Sequence, residues 1–192
     1  RRREAFAVKP SPVGSMLGWE SRILFGVIPL KTMQRLTEAY RGARIKPIDD
    51  GTRYVIMSDC HRGDGSKSDE FLKNKNSYTA ALDHYWNEGF TYVEAGDGDE
   101  LWEYDYKHII RANRAVWERH LKFHRAGRLI RMWGNHDVVL QDPGFVCEHL
   151  WRTEHPGTGE DREFFDGLVP VEAVLFRRGD TGQELLLVHG HQ

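Results

Sequence analysis

Arg128-Leu129-Ile130-Arg131-Met132-Trp133-Gly134-Asn135-His136-Asp137 is the stretch that decides the fold. Its first six residues are a largely apolar run of strand length, which stops at a polar turn carrying an amide, an imidazole and a carboxylate. The same pattern occurs twice earlier. Tyr54-Val55-Ile56-Met57-Ser58 leads into Asp59-Cys60-His61, and Thr91-Tyr92-Val93-Glu94 leads into Gly96-Asp97-Gly98-Asp99-Glu100. Asp59 and Asp97 are 38 positions apart, as are Asp97 and Asn135, and each interval fits one βαβ unit of roughly 30 residues or more.

The intervals read as helix. Tyr78 to Glu88 is the expected return from the first strand, and one long helix from about Leu101 to Ala126, ended by Gly127, is the return from the second. A shorter helical region, about Val138 to Trp151, precedes a polar loop, Arg152 to Asp161. Val169 to Phe176 and Glu184 to Val188 then read as strands joined by the turn-rich Arg177 to Gln183. Strands alternating with helices predict an α/β core with a parallel start, and ligands of such sheets bind beyond the carboxyl ends of the strands. The three polar turns all sit at that edge. His189-Gly190-His191 joins them if the last strand runs in the same direction.

The 192 residues are 40% hydrophobic and 29% charged, as expected of one globular catalytic domain with a sizeable core. We place that domain at 51–192, after an N-terminal extension, 1–50, with an irregular lead-in holding Pro10, Pro12 and Gly14. Leu30, Met33, Leu36 and Tyr40 recur at helical spacing in the extension and read as an accessory helix packed on the domain, or a surface for a membrane or second subunit. Lys and Arg number 27 against 29 Asp and Glu, a formal charge of -2, so no overall basic field points to nucleic acid. A phosphorylated small molecule is the expected substrate class, and nothing in the sequence sets an oligomeric state. Cys60 and Cys147 form no CxxC pair, which excludes a cysteine-based zinc knuckle and fits a reducing, cytoplasmic setting. The longest apolar run, Ile23 to Leu30, is far short of the roughly 20 residues of a membrane span.

The turn residues suit metal chemistry. Asp59 and His61, two apart, leave the same face of an extended backbone and can share a cation. Asp97 has two oxygens and can bridge two cations. Asn135 offers a neutral carbonyl oxygen and His189 a nitrogen, a mixed set that suits manganese, iron or zinc, with manganese first. Two divalent cations about 3.5–4 Å apart would clamp a phosphate and ionise a bridging water to hydroxide for in-line attack. His136, next to a ligand, would face the leaving oxygen.

In these motifs the chain resembles the calcineurin-like metallophosphoesterase superfamily. Asp59-Cys60-His61 matches its Asp-x-His; Gly96-Asp97, with Glu100 in the last acidic place, matches Gly-Asp-x-x-Asp; Gly134-Asn135-His136-Asp137 matches Gly-Asn-His-Asp; and His189-Gly190 matches its lone His. The resemblance covers about Tyr54 to the end. It implies a two-sheet β sandwich flanked by helices in αββα layers, with Asp59 and His61 on one metal, Asp97 bridging, and Asn135 and His189 on the other. It also implies His136 as proton donor or transition-state stabiliser, in an enzyme that hydrolyses phosphoester or pyrophosphate bonds. The competing expectation is a scaffold of the same fold without turnover. The family's closing Gly-His-x-His is expected beyond Gln192, unless Gly190-His191 is its first half.

Other groups carry second readings. Glu100 reads as orienting a neighbour rather than binding metal, and Asp99 as facing either solvent or site. Arg62 either brings a cation to a phosphate or belongs to a surface loop. His120 and His124 sit one helical turn apart, but without a third ligand they read as a solvated or partly buried pair. Trp102, Tyr104, Tyr106 and Trp117 read as core and helix-packing residues rather than a base-stacking platform, and Cys60 as packing behind the ligands. Gly63 to Ser68 is no P-loop, because Lys67 follows Ser66 rather than a glycine.

Overall fold

The computed structural model describes residues 30–154 and 161–192. The lead-in with Pro10, Pro12 and Gly14, the apolar run from Ile23 apart from Leu30, and the centre of the 152–161 loop lie outside the described residues. The strands and longer helices in chain order are α1 (Leu30–Gly42), β1 (Arg44–Ile48), β2 (Tyr54–Met57), α2 (Lys75–Asn87), β3 (Thr91–Ala95), α3 (Tyr106–Ala112), α4 (Arg114–Arg125), β4 (Leu129–Met132), β5 (Arg152–Glu154), β6 (Asp161–Glu163), β7 (Ala173–Arg178) and β8 (Glu184–Val188), with short helical turns at Glu70–Lys73 and, in the region expected to be helical after β4, at Val138–Gln141, Pro143–Phe145 and Val146–Leu150. Strands β2, β3 and β4 form a parallel sheet in that order, with Tyr54 opposite Thr91 and Tyr92 opposite Leu129. In the second sheet β7 is central, parallel to β1 and antiparallel to β8.

Alternation along the first sheet divides the core in two. Val55, Met57, Tyr92 and Leu129 pack with Leu82 of α2 and Val116, Trp117 and Phe123 of α4. The intervening residues, Val93, Ala95, Ile130 and Met132, bury with Val174 and Phe176 of β7. In α2, Tyr78 and Leu82 lie one turn apart, and in α4 Val116, Trp117, His120 and Phe123 form one buried stripe. Gly127, at φ 67°, ends α4 as expected by donating its N–H to the His124 carbonyl. The molecule is thus mixed α/β, with two three-stranded sheets and helices.

Four expectations need correction. The long helix from Leu101 to Ala126 is two helices, α3 and α4, separated at Asn113. The buried Asn113 amide donates to the carbonyls of Gly63 (2.8 Å) and Ile109 (3.1 Å), and this tertiary bond holds the chain out of helical geometry. Val169 to Val171 is not part of β7. Val171 instead pairs in parallel beside Met132 at the end of β4, accepting from Trp133 N–H and donating to Arg131 O, and the strand proper begins at Ala173. The ends of the 152–161 loop are the short antiparallel strands β5 and β6. Finally, β8 does not join the parallel sheet; it brings His189 to the ligand edge from the second sheet.

Strand β1 lies inside the segment read as an extension, and α1 precedes it. The α1 helix packs on β7 through Ala39, and the Tyr40 hydroxyl donates to Glu184 on β8 (2.6 Å). Leu30 and Met33 of the predicted apolar stripe are 71% and 53% exposed, whereas Leu36 is half-buried, so only the later part of the stripe, with Ala39, faces the domain. Among the described residues no helix is long and apolar enough to cross a membrane.

Candidate functional site

The loops after β2 and β3 are zipped together before they diverge. Asp59 N–H donates to Gly96 O, His61 N–H to Asp97 O, Arg62 N–H to Gly98 O, and Glu100 N–H returns to Arg62 O, all at 3.0–3.2 Å. This pairing holds the backbone where side chains seldom go. Among the described residues, the non-glycine residues with positive φ are Asp59 (54°), His61 (46°) and Asp97 (51°). Left-handed backbone at three residues is held only where surroundings over-determine it, and it concentrates at functional sites. Asp59 and His61 therefore do not share the face of an extended strand, as expected; a left-handed turn brings His61 Nε2 to 4.0 Å from Asp59 Oδ1. Cys60 between them packs into the helix-side core, where burial pushes its thiol up to about 11 and leaves it inert.

The third loop is tied to the second by Asp137. Its buried carboxylate accepts the backbone N–H groups of Asp97 (3.2 Å), Gly98 (3.0 Å) and Gly134 (2.7 Å). Burial pushes this carboxyl up to about 6, against the pull of Arg131 and the Gly134 N–H. Two glycines make room at the centre. A Cβ on Gly96 would meet His189 Nδ1 at 2.6 Å, and one on Gly134 would meet His189 Cδ2 at 2.7 Å and the Asp97 backbone N at 2.8 Å.

Around this centre Asp97, 3% exposed, lies between imidazoles from two directions. Its Oδ2 is 3.1 Å from His189 Nε2 and 3.8 Å from His61 Nε2, and its Oδ1 accepts the His136 N–H (2.8 Å). The outer nitrogens of the histidines are committed. His189 Nδ1 lies 2.9 Å from the Ala95 carbonyl, which can only accept, and His61 Nδ1 (3.0 Å) and His136 Nδ1 (2.7 Å) both lie against the Glu100 carboxylate. Each Nδ1 therefore carries the proton, so in neutral His189 and His61 the Nε2 lone pair faces the carboxylate oxygens of Asp97 and, for His61, Asp59. Lone pairs this close repel unless a cation or an added proton lies among them. Ligand atoms of His61, Asp97 and His136 lie within 4.8 Å of one another, as do those of Asp59, Asp97 and His189.

Of the six residues singled out from sequence, five come together in these two groups, and Asp97 belongs to both. One group holds Asp59, Asp97 and His189 and the other His61, Asp97 and His136, and His61 Nε2 also lies 4.0 Å from Asp59 Oδ1. Asn135 is half-buried in the third turn, beside His136. Glu100 orients its neighbours, as read; burial alone would raise its carboxyl, but hydrogen bonds from His136 and His61 outweigh that and hold it below the usual range.

Behind the ligands lies a buried charge network that the sequence did not disclose. Arg62 pairs with Glu94 and Asp99, and Arg131 pairs with the same two carboxylates, all at most 1% exposed. Both guanidiniums lie over the Trp117 ring, 4.9 and 5.4 Å from its centroid. Arg62 is thus neither a phosphate contact nor a surface residue, and Asp99 faces neither solvent nor site. His120 is buried against the Tyr78 hydroxyl (2.9 Å), and His124 lies near the Asp166 carbonyl (3.0 Å), so the two share no ligand role. Trp102 also departs from its reading: it precedes α3, is 63% exposed and stacks on His136 with ring centroids 3.9 Å apart. Its place two residues after Glu100 was the one signal available. No protein-family model, curated protein or solved structure matches the chain.

Proposed function

We propose that the chain is a metal-dependent hydrolase of a phosphoester or pyrophosphate bond, built on the calcineurin-like metallophosphoesterase plan. The observation that carries this reading is the Asp97 carboxylate set among imidazole lone pairs, within reach of His189 on one side and His61 on the other. The donor set of carboxylate oxygen and imidazole nitrogen, without thiolate, suits manganese, iron or zinc. Support for the layer order comes from the two cores, one binding helices to the first sheet and the other binding that sheet to the second. That arrangement supports the αββα sandwich that the motifs imply.

Asp59, His61, Asp97 and His189, with Asn135 from the third turn, would hold two divalent cations, which when bound would supply positive charge to a phosphoryl group and acidify water. The protein's own part is positional. Glu100 fixes the Nδ1 proton on His61 and His136, leaving the Nε2 of His136 to exchange a proton with the leaving oxygen. Trp102 covers one face of that ring and limits its rotation. Asp137 keeps the second and third loops in register.

The reading is tested by measuring metal content and hydrolysis of a phosphomonoester and phosphodiester panel with and without Mn²⁺. Manganese-stimulated turnover is expected. Bound metal without turnover on any ester would favour a scaffold role, and no bound metal would remove the reading altogether.

A further inference from the structure

The Trp102 indole is an exposed ring in a fixed place. On one side of it Leu101 packs into the helix-side core; on the other the Tyr104 hydroxyl is bonded to Ser68 Oγ (3.0 Å), and Tyr104 N–H closes a turn onto Glu100 O (3.1 Å). One indole face lies on His136, inclined by 25°, and with 63% of the residue exposed the rest of the ring is open. A well-anchored aromatic face left in water beside a catalytic imidazole is a stacking surface for a planar ring.

We propose that Trp102 selects substrates carrying a planar aromatic ring on the leaving side of the phosphate. This rests on the phosphoester reading above. In the hydrolysis a water oxygen bonds to phosphorus and releases its proton to solvent, the bond from phosphorus to the leaving oxygen breaks, and that oxygen takes the Nε2 proton of His136 in its imidazolium form, whose Nδ1–H is held by Glu100. The leaving group therefore departs beside the indole, and a ring attached to it meets the open face. An aryl ester places such a ring on the leaving oxygen itself, and a nucleoside places its base one ribose away.

The test compares two matched pairs with Mn²⁺ present, phenyl phosphate against cyclohexyl phosphate and uridine 5′-monophosphate against ribose 5-phosphate. The kcat/KM ratio within each pair is measured for the wild type, Trp102→Leu and Trp102→Phe. Comparing ratios between proteins cancels the intrinsic reactivity of each leaving group. Any loss from a displaced His136 also cancels in the uridine pair, whose leaving alcohols are alike; in the phenyl pair it falls harder on the poorer cyclohexyl leaving group and raises the ratio, opposite to the fall expected from lost stacking. Trp102→Leu is expected to lower at least one ratio by roughly tenfold, chiefly through KM of the aromatic ester, with Trp102→Phe recovering part of it. A fall in the phenyl pair alone places the ring on the leaving oxygen, and a fall in the uridine pair alone places it at nucleoside distance. Unchanged ratios in an active wild type overturn the proposal while leaving the hydrolase intact. If the wild type hydrolyses none of the four, the phosphoester reading fails for these esters, and fluorescence decides the stacking surface separately: uridine 5′-monophosphate should quench the wild type more than Trp102→Phe, and equal quenching overturns it.

Discussion

At Glu100 one carboxylate accepts from two imidazoles, His61 and His136, and so sets which nitrogen of each is free. In Glu100→Gln the charge is lost, and an amide N–H₂ in the place of Oε1 meets the His136 Nδ1–H donor to donor, so the shared acceptor is weakened and the His136 ring is no longer held as before. Turnover should fall roughly 10–100-fold, the usual cost of losing a partner of this kind, while the fold is kept. Wild-type turnover in that variant would remove the orienting role. His136 has two candidate duties, because it lies in one of the two candidate ligand groups and is also the proposed proton donor. His136→Ala is expected to lower turnover by roughly 10²–10⁴-fold with metal content unchanged; loss of one ion per chain would instead make it a ligand. Asp97→Ala should empty both positions, since its carboxylate is common to both groups, and retention of two metals would sink the bridging assignment.

At the scale of elements, what sequence shows is local pattern, and what it hides is tertiary bonding. The strands were legible because short apolar runs ended on polar turns, and β2, β3 and β4 lie within a residue or two of their expected places. The break at Asn113 was not, because it depends on a bond to Gly63, 50 positions away. Asp59, His61, Asp97, His136 and His189 were legible as a set through residue type and order. The grouping among them was not, since it follows from left-handed backbone at three non-glycine residues and from the entry of β8 out of another sheet. The pairing of Arg62 and Arg131 with Asp99 was not legible either, because nothing local marks a buried ion pair. Two substitutions probe these joints. Gly134→Ala places a methyl group against Asp97 and His189, so the chain should stay folded by circular dichroism yet bind less metal; unchanged metal stoichiometry and affinity would show that the loop has room to yield. Asn113→Ala leaves the Gly63 carbonyl without its donor and should cost about 1–3 kcal/mol in urea unfolding.

Across the whole molecule, a polar layer of Arg62, Glu94, Asp99, Arg131, Tyr78, Tyr92 and His120 lies buried between the first sheet and its helices. Such a layer ties stability to pH. Burial pushes the His120 imidazole down to about 3, against the attraction of Glu94, whereas in the unfolded chain it takes its ordinary value of about 6.5. Between those values the unfolded chain holds a proton that the folded chain lacks, so this residue makes stability fall as pH drops below about 6.5, by about 1.4 kcal/mol per pH unit. Glu94 acts in the same direction: burial raises its carboxyl, but Arg62 and Arg131 outweigh that and hold it well below the usual range, so its contribution is lost as pH falls through the carboxylate region. Asp137 opposes both, because its carboxyl, raised to about 6, takes up a proton in the folded chain first and favours folding as pH falls from about 6 towards 4. The net slope mixes these terms, and His120→Gln separates them, since glutamine keeps a hydrogen-bonding amide near Tyr78 and does not titrate. Urea unfolding of both proteins from pH 7.5 to 4.5 should run parallel above pH 6.5 and then diverge, with the wild type losing stability faster as the solution is acidified. Curves that stay parallel through pH 5 would mean that His120 keeps its ordinary affinity for protons inside the fold, and that the layer is open to water at that point.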